Sequence, residues 1–534
     1  MNNSSDMISQ SKLMTAIYAG KMSTATSCDY IIPEDASDTA QILTSEAAVT
    51  VDNIEIGEKY VEISGKVTYD VLLLGEDDSL YGVTYTDDFK SSVTNDQITK
   101  DSKVSLSRPC VRVISKLVNP RKIGLCGEIT IPINAYSLVD PQAKIDGIET
   151  LNDEVGIQRQ KNDVRTLKMV GLKHDGITVS HDIELDGNSP AMKKILYRHM
   201  DLVPYEIKGR NNNIETRIQA NVTIIYLTEE GNVFSACKSF IIDNAVEYQD
   251  PDTYEWSSKA SFYDLSTEIA ANSYGEMKVI EIDFIYDIEL IGSKNVLVTT
   301  FSDVYSTDYE YTSKNQNISV HNIKRTYSCS LSVNTSASRD ELEAQNARNV
   351  LTASARIINT EIKYLEAKNK LVLNGEAEVN ILCENATLGE DDNKYGSFVY
   401  KYPFKSEFEC YDYCENDTYI PILSVTDIKY RADSSKLYCD FEAAIKIASY
   451  SNCSHNIITE MALNKEERLS RVNIPFTLCY PCGKESLWDI AKYYKITKES
   501  IISSNSLESD DITDKKVLLI PQFSKKDILF SKVI

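Results

Sequence analysis

Three stretches of the chain alternate apolar and polar residues around one small residue. They are VEISGKVTYDVLL over 61–73, TRIQANVTIIYL over 216–227 and LVLNGEAEVNILC over 371–383. Alternation with a period of two predicts half-buried β-strands. The small residues Gly65, Ala220 and Gly375 are 155 residues apart both times. Other landmarks keep that register. Upstream, Ile42-Leu43, Ile195-Leu196 and Val350-Leu351 are separated by 153 and then 155 residues. Downstream, copies one and three carry Phe89-Lys-Ser and Phe404-Lys-Ser. Strands ending in Tyr136-Ser137, Tyr305-Ser306 and Tyr450-Ser451 close the copies. Several landmarks in one order imply three divergent copies of a single β-rich domain.

Within each copy, Glu76-Asp-Asp-Ser and Thr228-Glu-Glu-Gly231 read as hairpin turns. The acidic runs Glu76-Asp77-Asp78 and Glu390-Asp391-Asp392 fall at like positions and read as solvated turns. The clearest helical signal is Ser338–Leu351, with Ser338 as N-cap and Glu341 three residues later. The expected fold is mainly β repeats, each an antiparallel sandwich or open barrel with few short helices. The expected divisions are a polar segment over 1–27, repeats over 28–140, 178–308 and 325–455, and linkers over 141–177, 309–324 and 456–471.

From 472 to 522 the pattern changes to a small α+β (βααβ) module, followed by a tail over 523–534. Phe476, Leu478 and Tyr480 alternate as a strand. Leu487, Ile490, Ala491 and Tyr494 share one helical face, with Ser486 as N-cap and Asp489 completing the cap. Thr497 caps a second helix that ends at Asn505-Ser-Leu507, and Val517–Pro521 supplies the closing strand.

Composition narrows the function classes. At roughly 100–200 residues per domain, 534 residues imply several domains. Acidic residues outnumber basic ones 80 to 56, for a net charge of −24, which disfavours nucleic acid and anionic lipid as partners. No run approaches the ~18 apolar residues of a membrane span, and 1–23 lacks the apolar core of a secretory signal. The 12 Cys are scattered, as thiols of a reducing compartment would be. The chain therefore reads as cytosolic. Cys479-Tyr-Pro-Cys482 has the spacing of a redox or zinc half-site, but no further ligands accompany it. Incidental thiols or a reversible disulfide are the two readings. The five His show no metal spacing, and no nucleotide, zinc-protease, nucleophile-elbow or calcium-loop motif occurs. No enzyme activity, cofactor or metal is expected.

The C-terminal module resembles the LysM domain, known for binding N-acetylglucosamine polymers. The matching residues are Glu485-Ser486-Leu487-Trp488-x-Ile490-Ala491, Asn505-x-Leu507, Ile512 and Leu518-x-Ile520-Pro521. Two departures border the family's sugar groove: Lys484 stands where Gly is usual, with Gly483 displaced, and Asp514-Lys515-Lys516 replaces Pro-Gly-Gln. They disfavour a glycan and favour a protein ligand. Three repeats followed by this module resemble the SipL-like spore coat morphogenetic proteins, built from SPOCS-type repeats and a C-terminal LysM domain. That resemblance implies a mother-cell scaffold at the forespore surface that helps the coat encase the forespore. It implies docking on the coat ATPase stage IV sporulation protein A, and other coat proteins become candidate partners of the repeats. The partner-binding candidates are Gly483, Lys484, Glu485, Ser486, Leu487, Trp488, Asn505, Ile512, Lys515 and Lys516. Trp488 is read as a framework aromatic or as an interface anchor, and the lysines as a cationic rim or as solvated loop residues. The alternative function is a cell-wall or cortex protein that binds peptidoglycan through the module.

Overall fold

A computed structural model describes residues 12–140, 144–146, 156–386, 394–469, 474–482 and 485–522. The structure is 74% strand and 4% helical, so the chain is a mainly β protein with a small helical part. The first copy holds β1 (Leu13–Ile31), β2 (Thr39–Ile56), β3 (Tyr60–Gly75), β4 (Leu80–Thr94), β5 (Lys103–Leu106), β6 (Cys110–Asn119) and β7 (Lys122–Val139). A short β8 (Lys144–Asp146) follows. The second copy holds β9 (Ile157–Glu184), β10 (Met192–Arg210), β11 (Asn213–Thr228), β12 (Val233–Glu247), β13 (Glu255–Ala270) and β14 (Val279–Ser306). The third holds β15 (Tyr309–Ser338), β16 (Ala347–Leu365), β17 (Lys370–Asn385), β18 (Tyr395–Glu409), β19 (Thr418–Ala432) and β20 (Lys436–Arg468).

Each copy is a sandwich of two antiparallel sheets. One is the meander β2-β3-β4, β10-β11-β12 or β16-β17-β18; the other groups β1-β7-β6, β9-β14-β13 or β15-β20-β19. Alternate residues of both sheets fill one apolar core per copy. In the first copy Val61, Ile63, Val67, Tyr69 and Val71 meet Ile123, Leu125, Ile129, Ile131 and Ile133. Corresponding cores fill the second and third copies.

The landmarks have physical causes. The small residue of each middle strand lies under a phenylalanine: Gly65 opposite Phe89, Gly375 opposite Phe404, and Ala220 opposite Phe240. The Leu landmarks coincide with β-bulges. The ladders skip Leu43, Leu196 and Leu351, each unpaired between two registered neighbours. A bulge re-aims a side chain, and these three leave their own sandwiches to join a common cluster. There they meet Leu72, Ile225 and Leu382 at equivalent places on the middle strands. This explains why strict alternation stops at Val71–Leu74: Leu73 faces its own core while Leu72 and Leu74 face the neighbouring copies. The three hairpin sheets thus meet about a pseudo-threefold axis.

At the opposite end the long strands converge. Leu13, Val164, Val298, Ile318, Val320 and Ile457 form one apolar cluster drawn from all three copies. Thr15 pairs with Val320, joining the β1 and β15 sheets of copies one and three. Asn295 donates to Ile323 O at 2.7 Å and accepts from Ile323 N at 2.9 Å, tying copies two and three.

Several expectations are corrected here. The stretches taken as linkers are largely strand: β9 runs from Ile157, β15 from Tyr309, and β20 continues to Arg468. β1 likewise begins at Leu13, within the stretch read as a polar N-terminal segment. These strands read as polar because only scattered residues such as Val164, Ile318 and Ile457 are buried, against other copies. The stretch Ser338–Leu351 is not a helix. Ser338 O accepts from Leu342 N in a single turn, Glu343 has φ of +55°, and β16 begins at Ala347. The β-branched and Asn residues after Ala347 pair better with β17 than they sustain a helix. Of the acidic turns, Glu390-Asp391-Asp392 lies outside the described residues, while Asp78 turns with φ of +60°.

Candidate functional site

The C-terminal module consists of β21 (Phe476–Cys479), α1 (Leu487–Tyr493), α2 (Lys498–Asn505) and β22 (Leu518–Pro521). Ser486 opens α1 with a reciprocal cap: its Oγ accepts from Asp489 N at 3.2 Å, and its N–H donates to Asp489 Oδ2 at 2.9 Å. The Ser486 hydroxyl, which donates to Asp489 Oδ2 at 2.7 Å, and then the Ser486 N–H hold the Asp489 carboxyl below its ordinary pKa. Thr497 caps α2 through Ser500 N at 3.2 Å. Asn505 donates to Ile501 O at 2.9 Å and Leu519 O at 2.7 Å, and accepts from Leu519 N at 2.7 Å. It therefore locks α2 to β22. Leu487, Ile490, Ala491, Ile501, Ile512, Leu518 and Ile520 form the interior.

The module does not hang free. Trp488 is 8% exposed and packs edge-on against Tyr305, at the end of β14, with ring centroids 4.9 Å apart. Its indole N–H donates to Asp303 Oδ2 at 2.8 Å. Lys492, one turn later on α1, lies 2.7 Å from both oxygens of the same carboxylate. The Tyr305 hydroxyl donates to Ile496 O at 2.7 Å, and burial raises its pKa. Lys495 sits 5.0 Å above the Tyr311 ring. Trp488 thus anchors the module to the second repeat.

Of the ten candidates, Gly483 and Lys484 lie outside the described residues. Ser486, Leu487, Asn505 and Ile512 serve caps and interior. Glu485 accepts from Cys482 N at 2.7 Å, and Lys515 and Lys516 are exposed on the loop entering β22. Cys479 and Cys482 are free thiols, the first partly buried; burial raises the pKa of Cys479.

The sequence reasoning missed two things: Asp303 with Tyr305 as a docking pair, and the direction in which β21 faces. Antiparallel partners share a face, and Cys479 pairs with the buried Leu518, Thr477 with the buried Ile520. The other face of β21 carries Phe476, Leu478 and Tyr480, which are 50%, 50% and 69% exposed. Val517, 44% exposed, extends this apolar stripe beside Lys516. The signal was available. Inward positions of β22 are Leu and Ile while those of β21 are Thr and Cys, so the alternating apolar set of β21 belongs to the outer face.

Among the described residues no group of three or more His, Cys, Asp or Glu is placed to hold a metal ion. No helix among them is long and apolar enough to cross a membrane. No family model, curated protein or solved structure matches this chain.

Proposed function

We propose that this chain is a non-enzymatic spore coat morphogenetic scaffold of the SipL-like type. Its LysM-like C-terminal module docks on the coat ATPase stage IV sporulation protein A in the mother-cell cytoplasm, at the forespore surface, and the β repeats contact other coat proteins. The observation that carries the protein-docking part is the exposed stripe Phe476, Leu478 and Tyr480 beside Lys515 and Lys516. Adjacent exposed aromatic and aliphatic side chains are the chemistry of a protein interface core, and a lysine rim suits an acidic partner. The partner's identity and the location rest on the resemblance.

The test compares the full-length chain with its Leu478→Asp variant. Immobilised stage IV sporulation protein A should capture the native chain and bind the variant at least tenfold more weakly. Neither should bind peptidoglycan fragments or chitin oligomers. Binding to the glycans without binding to the ATPase would overturn the proposal in favour of a cell-wall role.

A further inference from the structure

A chamber of about 1270 Å³ lies between the three repeats. It is lined by β2, β10 and β16, the equivalent first strands of the three hairpin sheets, and by segments on or near β6, β13 and β19. Its lining has an unusual form. Residues 46–54 of β2 and 353–361 of β16 contribute as unbroken runs, as do 421–428 of β19. A sheet presented by its face would contribute alternate residues. Unbroken runs mean that strand edges look into the chamber. β2 pairs only with β3, and β16 only with β17, so each has one ladder edge without a strand partner. Unpaired edges are templates for an added strand, and natural proteins cover or blunt them. At Leu351, on β16, the edge is covered: its carbonyl accepts from Tyr430 of its own copy at 3.0 Å and from Ser235 of the second copy. Along 353–361 and 46–54 the edges instead face the chamber.

Charge narrows the occupant. Apart from Lys21, the Lys and Arg of the lining are engaged in ion pairs, among them Arg108 to Asp201, Lys259 to Glu289 and Arg356 to Glu378. Asp52, on β2, has no ion-pair partner among the described residues, whereas Glu46 accepts from Ser354 at 2.6 Å and lies near the His199 imidazole. The chain as a whole carries −24, which draws cationic ligands toward it. With ~3.3 Å per residue, ~4.8 Å between strands and ~10 Å between sheets, the chamber holds about eight residues of extended chain.

We propose that the axial chamber binds an extended segment of a partner polypeptide, alternating apolar and basic residues, which adds as a strand against β2 or β16. Main-chain hydrogen bonds would give the affinity, and Glu46 and Asp52 the preference for basic side chains. This surface is separate from the C-terminal module and stands or falls without it.

The test uses the full-length chain and a fluorescein-labelled octapeptide alternating valine and lysine, followed by fluorescence anisotropy. Saturable binding is expected. A peptide with glutamate in place of lysine should bind at least tenfold more weakly, as should one with proline at its fifth position, which removes a ladder donor. Asp52→Lys, at an exposed position, should weaken the lysine peptide about tenfold, and Ala48→Trp should block it by filling the chamber. Absence of binding, equal binding of the proline peptide, or binding indifferent to both substitutions would overturn the proposal.

Discussion

His199, on β10, makes the most demanding prediction. Its Nδ1 lies 3.1 Å from Asp70 Oδ2 of the first repeat, and Asp70 Oδ1 accepts from Thr84 at 3.0 Å. Burial alone would depress the imidazole pKa. The Asp70 hydrogen bond and charge, with Glu46 and Asp201 nearby, outweigh it and hold the group up at about 9. Against an ordinary value of 6.5, that shift corresponds to about 3 kcal/mol of preference for the folded state when the ring is charged. The folded value is the higher one, so the contribution is complete below pH 6.5. It declines as pH rises and is lost above about 9. The assay is urea unfolding of the native chain and of His199→Gln at intervals from pH 6 to 9.5. Other titrations are common to both proteins and cancel in the difference. The native chain's advantage should shrink by about 3 kcal/mol across that window. Parallel curves would refute the reasoning, and with it the idea that a charged pair joins copies one and two.

Three further outcomes follow from particular contacts. A Cβ on Gly65 would meet Thr50 O at 2.0 Å, whereas one on Gly375 would meet the tip of the Phe404 ring at 2.1 Å. Gly65→Ala should therefore cost about 2–3 kcal/mol and Gly375→Ala less, because a ring can turn and a backbone carbonyl cannot; equal losses in thermal unfolding would contradict this. Asp303→Ala removes the acceptor of Trp488 and Lys492, so hydrogen exchange in α1 should speed at least tenfold while β17 stays protected; unchanged exchange would show that the contact does not hold the module. Leu196→Ala empties part of the axial cluster and should lower stability by about 2–4 kcal/mol, read as a lower urea midpoint, and a change under 1 kcal/mol would mean that the copies scarcely support one another there.

The strands of each sandwich were legible because their neighbours are local. Period-two alternation at 61–73, 216–227 and 371–383 reflects meanders joined by tight turns, and Phe89 and Phe404 stood out beside their glycines. Phe240 plays the same part opposite Ala220, but the absence of a following Lys-Ser hid it. What could not be read was what the outer faces meet. Val164 and Ile318 look like isolated apolar residues in polar runs, and contacts with other repeats explain their burial. The module's helices were legible through caps and spacing. The fate of Trp488 was not, because Asp303 and Tyr305 belong to another repeat.

The pseudo-threefold arrangement also makes the copies depend on one another. Leu43, Leu196 and Leu351 each spend a β-bulge to leave their own sandwich, and Leu72, Ile225 and Leu382 are almost fully buried although they face away from their own cores. A single excised repeat would present that apolar end, together with its share of the long-strand cluster, to water. Such a surface favours association, and the copies already contain complementary ones. The bulges therefore make sense only if the repeats pack together, and they recur at equivalent positions in all three copies. The equivalent positions around the axis differ. His199 occurs only in copy two, at the place held by Glu46 and Ser354 in the others, and Tyr305 receives the module while Tyr136 and Tyr450 flank His321. Divergence of this kind leaves the three copies alike in fold and different in what their equivalent positions touch.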